Sequence, residues 1–276
     1  MKLVRPALQL VNVFVAWVVL ALLVPMTTRC ETTTDARLSE VLQCLRRNLP
    51  KQSSLNDAVL VSTDRIGGKR EFKARLMAKR MPDGFRRAKI CVTAPPELRG
   101  SQVLALENDG GLPATFLYTE AVLTPKRITG GGLGAGIFGT DFTFDDFDRL
   151  MNLNRTEETK RLPDETREGR PTFLLEATPR DPSRGYYTKV KTWIDVETCV
   201  AVEAEFYGGQ EHPRRVLTAD LDRIVTKDGL SYPGRVTMRD LTEGTQTVLE
   251  ITSSEIDGKL VTDAELEVGE LGRYCR

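Results

Sequence analysis

The nine residues EFKARLMAK, positions 71–79, decide the fold. Phe72, Ala74, Leu76 and Ala78 alternate with Glu71, Lys73, Arg75 and Lys79, a period of two that sets apolar side chains on one face of a strand and charges on the other. The same alternation runs outward in both directions. Residues 58–63 precede the stretch across an IGG turn, while 87–93 and 103–106 flank the Pro95-Pro96 break and 115–118 leads into 122–128. Segments 173–177, 190–195, 200–206, 215–221, 236–241 and 247–253 continue the pattern between turns such as Gly208-Gly209 and Asp228-Gly229. Val200, Val202, Ala204 and Phe206 form one apolar stripe, and Leu249 and Ile251 another. About a dozen strands in an antiparallel meander with one dry face are expected, and a sheet of that width curls instead of staying flat.

Something must fill the concavity, and only two helices are on offer. Residues 34–48 place Leu38, Val41, Leu42 and Leu45 on one face, with Thr34 or Asp35 as cap and Pro50 beyond the end. The second helix follows GIFGTDFTFDDFDRL, positions 136–150: Thr143 stands where an N-cap belongs, Asp145 and Asp146 favour the positive helix end, and Phe144, Phe147 and Leu150 share a face. Two short helices plug such a sheet incompletely, so a lipophilic cavity is expected between helix and sheet, with Phe72, Leu76, Val202 and Phe206 as its sheet contacts.

Residues 130–139 hold six glycines in ten. They read as the hinge of a gate, with Gly134, Gly136 and Gly139 supplying mobility and Phe142, Phe144 and Phe147 forming the latch. Asp141, just before the cap, is expected to hold the loop by accepting backbone amides. The alternative is a connection that packs permanently, its rings completing the core.

Lys plus Arg and Asp plus Glu balance at 39 each. No long-range field draws the chain to nucleic acid. The Lys- and Arg-rich run 65–87 reads as the wet face of a strand. At the N-terminus Lys2 and Arg5 precede an apolar run from Val11 to Pro25, the layout of a signal peptide over residues 1–30, cleaved between about Pro25 and Glu31. The runner-up is an uncleaved anchor, since 8–25 approaches the length of a span. Arg29 before Cys30 argues against a lipoprotein signal. Residues 31–276 are expected to form one lipophilic-ligand-binding domain. In the mature chain Cys44, Cys91, Cys199 and Cys275 allow three connectivities, and an internal pair among the first three fits as well as two full bridges.

Several chemistries are excluded by pattern. Gly134 to Gly139 fits GxGxxG, but no long crossover helix or parallel sheet follows, and no GK[ST] closes the run. Asp145, Asp146 and Asp148 are explained by capping and dipole, and Asp141 by its structural hold on the loop. A single histidine, His212, with no CxxC and no GxSxG leaves no metal set and no triad. Neither an enzyme nor a cofactor is expected.

In order along the chain stand TAPPELRG (93–100), GTDFTFDDFDRL (139–150), EATPRDP (176–182), WIDVETCVAVEAEFY (193–207), VLTADLDRI (216–224), PGRVTMRDL (233–241) and TQTVLEI (245–251). With these segments the chain resembles the outer-membrane lipoprotein-sorting family, the larger relatives of the LolA-type periplasmic lipoprotein carrier. The resemblance implies a mainly β fold with a few helices: a strongly curved antiparallel sheet, an incomplete barrel with helices on its concave side, and a pocket for acyl chains. It further implies a monomeric carrier or binding protein in the Gram-negative periplasm, anchored to the membrane if the leader stays uncleaved. Its cargo would be lipoprotein acyl chains or lipid, and its partner an inner-membrane transporter of the resistance-nodulation-division type. The alternative is an envelope sensing, regulatory or transporter-accessory module on the same fold. A regulator related to sigma-factor control is expected to add a C-terminal domain, and the chain ends at Arg276 soon after its last strand signal, which favours the carrier.

Overall fold

Alternation becomes sheet along almost the whole chain. The computed structural model describes residues 32–109, 111–151, 157–180 and 186–273. The expected targeting segment with its cleavage site, Cys30 and Cys275 lie outside them. The N-terminal half runs α1 (Thr32–Arg47), β1 (Ser53–Thr63), β2 (Lys69–Arg80), β3 (Arg86–Ala94), β4 (Gln102–Leu106), β5 (Ala114–Tyr118) and β6 (Lys126–Ile128), and two 3-10 turns then lead to α2 (Phe144–Leu150). The rest comprises β7 (Glu157–Arg167), β8 (Arg170–Pro179), β9 (Lys189–Asp195), β10 (Ala201–Tyr207), β11 (Arg215–Ala219), β12 (Ile224–Lys227), β13 (Leu230–Pro233), β14 (Arg235–Asp240) and β15 (Thr245–Ile256). α1 starts at Thr32, so Thr34 and Asp35 lie inside the helix and neither caps it.

Thirteen strands make one antiparallel sheet in the order β6-β5-β4-β3-β2-β1-β15-β14-β11-β10-β9-β8-β7, with β12 and β13 as a separate hairpin. The register of β15 on β1, with Leu60 opposite Leu249 and Ala58 opposite Ile251, joins the two halves of the chain. β6 and β7 stand at the two ends of the order and do not pair with each other, so the sheet is open and not a closed barrel.

Two departures from the sequence reading have local causes. Residues 122–125 are not strand, because the amides of Val122 and Leu123 both turn back onto the Thr119 carbonyl and Leu123 takes φ 58°. β7, EETKRLPDETR, carries no apolar alternation and gave no strand signal. It is an edge strand, where charge is tolerated and Pro163 needs no ladder bond, and its register on β8 shifts between Leu162 and Glu165.

Apolar residues facing the concavity form the main core, in which Phe72, Ala74 and Leu76 of β2, Val190 of β9, Phe206 of β10 and Met238 of β14 pack with Phe142, Phe144 and Phe147. α1 covers another part of the sheet through Val41 and Cys44 against Phe173, Leu175 and Ile194. A disulfide joins Cys44 to Cys199 across 155 residues. It realises one of the pairings left open, and Cys91 is disulfide-bonded as well.

Val202 requires a correction. The β10 register shifts against β9 between Ala201 and Glu203, a bulge that turns Val202 out of the Ala204–Phe206 stripe. It packs instead with Leu174 and Trp193, the opposite face from Phe206.

Because the disulfide tethers α1 to the sheet and closes a long loop, the double variant Cys44→Ser/Cys199→Ser should lose about 2–5 kcal/mol of stability. Thermal unfolding with and without reductant checks this; a variant that melts with wild type would show that α1 is held by packing alone.

Candidate functional site

The segment from Gly130 to Leu150 lies on the concave face, and its own residues explain how it is held. Thr143 caps α2 in a reciprocal box: the Asp146 amide donates to Thr143 Oγ1 at 3.0 Å, and the Thr143 amide donates to Asp146 Oδ2 at 2.8 Å. The cap was legible in the sequence, but the fate of the acids was not. Asp145, Asp146 and Asp148 are all buried, at 0, 1 and 1% exposure.

Each acid has a partner. The Tyr187 hydroxyl donates to Asp146 Oδ2 at 3.2 Å, Arg215 Nη1 donates to that hydroxyl at 3.2 Å, and Arg215 Nε donates to Asp240 Oδ2 at 2.8 Å. Arg149 binds Asp145 at 2.9 Å and clamps Glu157 with two bonds of 3.1 and 2.6 Å. Thr115 donates to Asp148 at 3.3 Å. Burial pushes the Asp146 carboxyl above its ordinary value, only partly offset by its bonds to Thr143, and its Oδ1 is buried without a hydrogen bond among the described residues. Burial likewise raises Tyr187, with Asp146 adding to the effect. For Arg149 burial works the other way, but Asp145 and Glu157 overcome it and hold the guanidinium charged.

Asp141 latches the loop by a different route from the one expected. Its carboxylate accepts the hydroxyls of Thr245 and Thr247 on β15, and its own amide donates to Thr247 Oγ1 at 3.0 Å. The glycines serve close packing and turn geometry. A side chain at Gly134 would meet the Tyr186 ring at 2.0 Å, one at Gly136 would meet the Thr140 carbonyl oxygen at 2.3 Å, and Gly139 takes φ +80°. Phe142, Phe144 and Phe147 are buried to 4, 5 and 3% exposure, so their rings complete the core here.

Under the segment the packing is incomplete. Phe72, Phe142 and Phe147 line a small space of about 40 Å³, and beyond Leu76, Leu150, Met151 and Leu249 it gives way to a cavity of about 230 Å³. The larger cavity is walled by Leu76, Ala78, Val236, Leu249 and Ile251 of the sheet, Leu230, Tyr232 and Pro233 of the β12–β13 hairpin, and Leu49 and Pro50 after α1. Of the residues expected to contact cargo, Leu76 lines both spaces and Phe72, Phe142 and Phe147 the small one, while Phe144 and Phe206 sit in the surrounding core and Val202 lies on the other face. The hairpin residues and Arg86, which also lines the cavity, gave no sequence signal. The hairpin is short, and Arg86 lay in a run read as a wet strand face, yet it is only 7% exposed.

An open, strongly antiparallel sheet with helices over its concave side defines the LolA-like class. The chain superposes with a TM-score of 0.75 and 19% identity on a domain from Vibrio parahaemolyticus described as an outer membrane lipoprotein-sorting protein, covering 85% of this chain and 97% of that one. A DUF1329 family protein from Desulfovibrio piger gives 0.77 at 19% identity, with 86% and 98% covered. A LolA superfamily protein from Nitrosomonas europaea gives 0.64 at 17%, with 83% and 96% covered. The chain therefore has the fold of the lipoprotein-sorting proteins. Residues 84–265 match the profile of a family described as an uncharacterized protein, and the chain belongs to that family. No curated protein matches it in sequence. Among the described residues no helix is long and apolar enough to cross a membrane.

Because the Asp146 carboxyl is protonated more readily folded than unfolded, the folded state binds the extra proton and stability falls as pH rises above the ordinary 3.8. Asp146→Asn removes that proton linkage. The unfolding free energy of the variant relative to wild type should rise from pH 4 toward neutrality, measured by denaturant titration across that range; a constant difference would show that Asp146 ionises alike in both states.

Proposed function

We propose that the protein binds lipophilic or acylated cargo in the periplasm, holding acyl chains between the curved sheet and α2. The observation that carries this reading is the apolar cavity on the concave face, bounded by Leu76, Val236, Leu249 and Ile251 on one side and Leu150 and Met151 on the other. Such a wall offers chains dispersion and apolar surface. The shared fold of the lipoprotein-sorting and LolA superfamily proteins supports a binding role in general; lipoprotein or lipid as cargo and a resistance-nodulation-division transporter as the membrane partner complete the proposal. Residues 31–276 act in this reading as one exported monomeric unit behind a cleaved leader, without catalysis.

Size bears on how the cavity is used. At about 230 Å³ it falls below the roughly 300–1,000 Å³ of pockets that enclose drug-sized ligands. A full acyl chain therefore needs more room, and the 130–150 segment supplies it as the gate: cargo displaces Phe142 and turns aside the ring of Phe147, which both border the residual space, while the Asp146–Tyr187–Arg215 contacts hold the α2 backbone in place.

Native mass spectrometry of protein purified from the periplasm, followed by lipid extraction, tests the reading. A co-purified acylated species is expected, and amides 131–147 should exchange faster in the stripped protein than in the loaded one. Protein that carries no lipid and takes none up would refute the carrier; a lipid bound without any change in exchange would remove the gate alone.

A further inference from the structure

Arg86 opens β3, and at 7% exposure it is a buried cation. Its guanidinium carries five N–H donors. Among the described residues its side chain has one acceptor, the Pro50 carbonyl at 2.9 Å, while Glu107 spends Oε2 on the Arg86 backbone amide at 2.6 Å. No carboxylate of the described residues forms an ion pair with it. Burial, reinforced by the neighbouring Arg80, holds its pKa below the ordinary arginine value, an effect that the charges of Glu107 and Asp257 offset only in part. A buried cation in this state is costly unless something anionic meets it.

Its position says what that would be. Arg86 and Leu49 line both the apolar cavity and a second, larger groove of about 690 Å³ that runs under α1. The groove has four arginines, Arg46, Arg80, Arg86 and Arg149, against two glutamates, Glu107 and Glu157. Arg149 is already committed to Asp145 and Glu157, whereas Arg46 and Arg80 are exposed. A largely apolar space therefore borders a buried guanidinium that has no ion pair among the described residues, with the exposed Arg46 and Arg80 adding positive charge in the groove beside it.

We propose that the cargo is an amphiphile with an anionic head, a carboxylate or a phosphate, gripped by Arg86 where the two spaces meet, its chain lying along Leu76, Leu249 and Ile251. The inference rests on the cargo reading above and adds to it the charge of the head. A planar guanidinium suits either group, since both accept two parallel N–H bonds.

Isothermal titration of the delipidated mature protein with single-chain dodecyl amphiphiles below their micelle concentrations separates the possibilities: dodecyl phosphate, dodecanoate, dodecyl maltoside and dodecyltrimethylammonium, with inorganic phosphate as the chainless control. Both anionic amphiphiles should bind at least about tenfold tighter than the maltoside, the size of effect a charge-assisted hydrogen bond gives. The ammonium should bind weakest, and inorganic phosphate should bind far more weakly than dodecyl phosphate. Arg86→Gln should erase the anionic preference and leave maltoside affinity unchanged, with Arg86→Lys keeping part of it. Should Arg86→Gln fail to fold, the head-group series on wild type decides alone. Equal affinity for anionic and neutral heads, or a preference that survives in Arg86→Gln, would overturn the anionic-head assignment while leaving the carrier standing. Inorganic phosphate binding as tightly as dodecyl phosphate would mean a bare anion site and overturn it too. Binding of no amphiphile at all would bring down this inference and the carrier reading together.

Discussion

A thirteen-stranded antiparallel sheet that curls without closing has one apolar face too wide for its own side chains to cover, and the rest of this molecule answers that constraint. α1 covers part of it, pinned by Cys44–Cys199, and the 130–150 segment covers another. The second cover is only seven residues of helix, far too short to be stable by itself, so tertiary contacts have to hold it. Three buried aromatic rings supply the apolar part, each contributing about 1.5–3 kcal/mol. The polar part is the chain from Thr143 through Asp146, Tyr187 and Arg215 to Asp240, flanked by Arg149 with its two acids.

This division of labour bears on function. A cover held only by apolar packing could slide, whereas buried charge pairs have few alternative registers, so α2 is fixed by its acids while the glycine-rich approach to it is held by Asp141 and Phe142. In the proposed gate the helix stays and the approach to it moves, so the space widens toward Leu76 and Leu249. Arg86 lines both that cavity and the arginine-lined groove.

Much of the fold was legible because it rests on period two. The stripe Phe72-Ala74-Leu76-Ala78 and the pair Leu249-Ile251 face the concavity as read, and the Thr143 cap stands where its residue type and spacing put it. What the sequence concealed were the places where neighbours override local pattern. Val202 has the right alternation, but one bulge residue reverses its face. β7 has no apolar stripe because an edge strand needs none. Asp145, Asp146 and Asp148 look like solvated helix-start acids, and their burial depends on Arg149, Tyr187 and Thr115, two of which arrive from other strands or loops. Arg86 looked like one more cation in a basic run, and nothing local distinguishes a strand's first residue facing water from one roofed by Pro50.

The claim on which all of this turns is that the concave space receives an apolar chain. Paramagnetic relaxation in methyl-labelled protein, induced by a fatty acid with a nitroxide partway along its chain, reads the location of that chain directly. The account predicts selective broadening of Leu76, Met151, Val236, Leu249 and Ile251, with Leu174 and Val202 on the opposite face spared. Broadening centred on Leu174 and Val202, or none at saturating ligand, would contradict it.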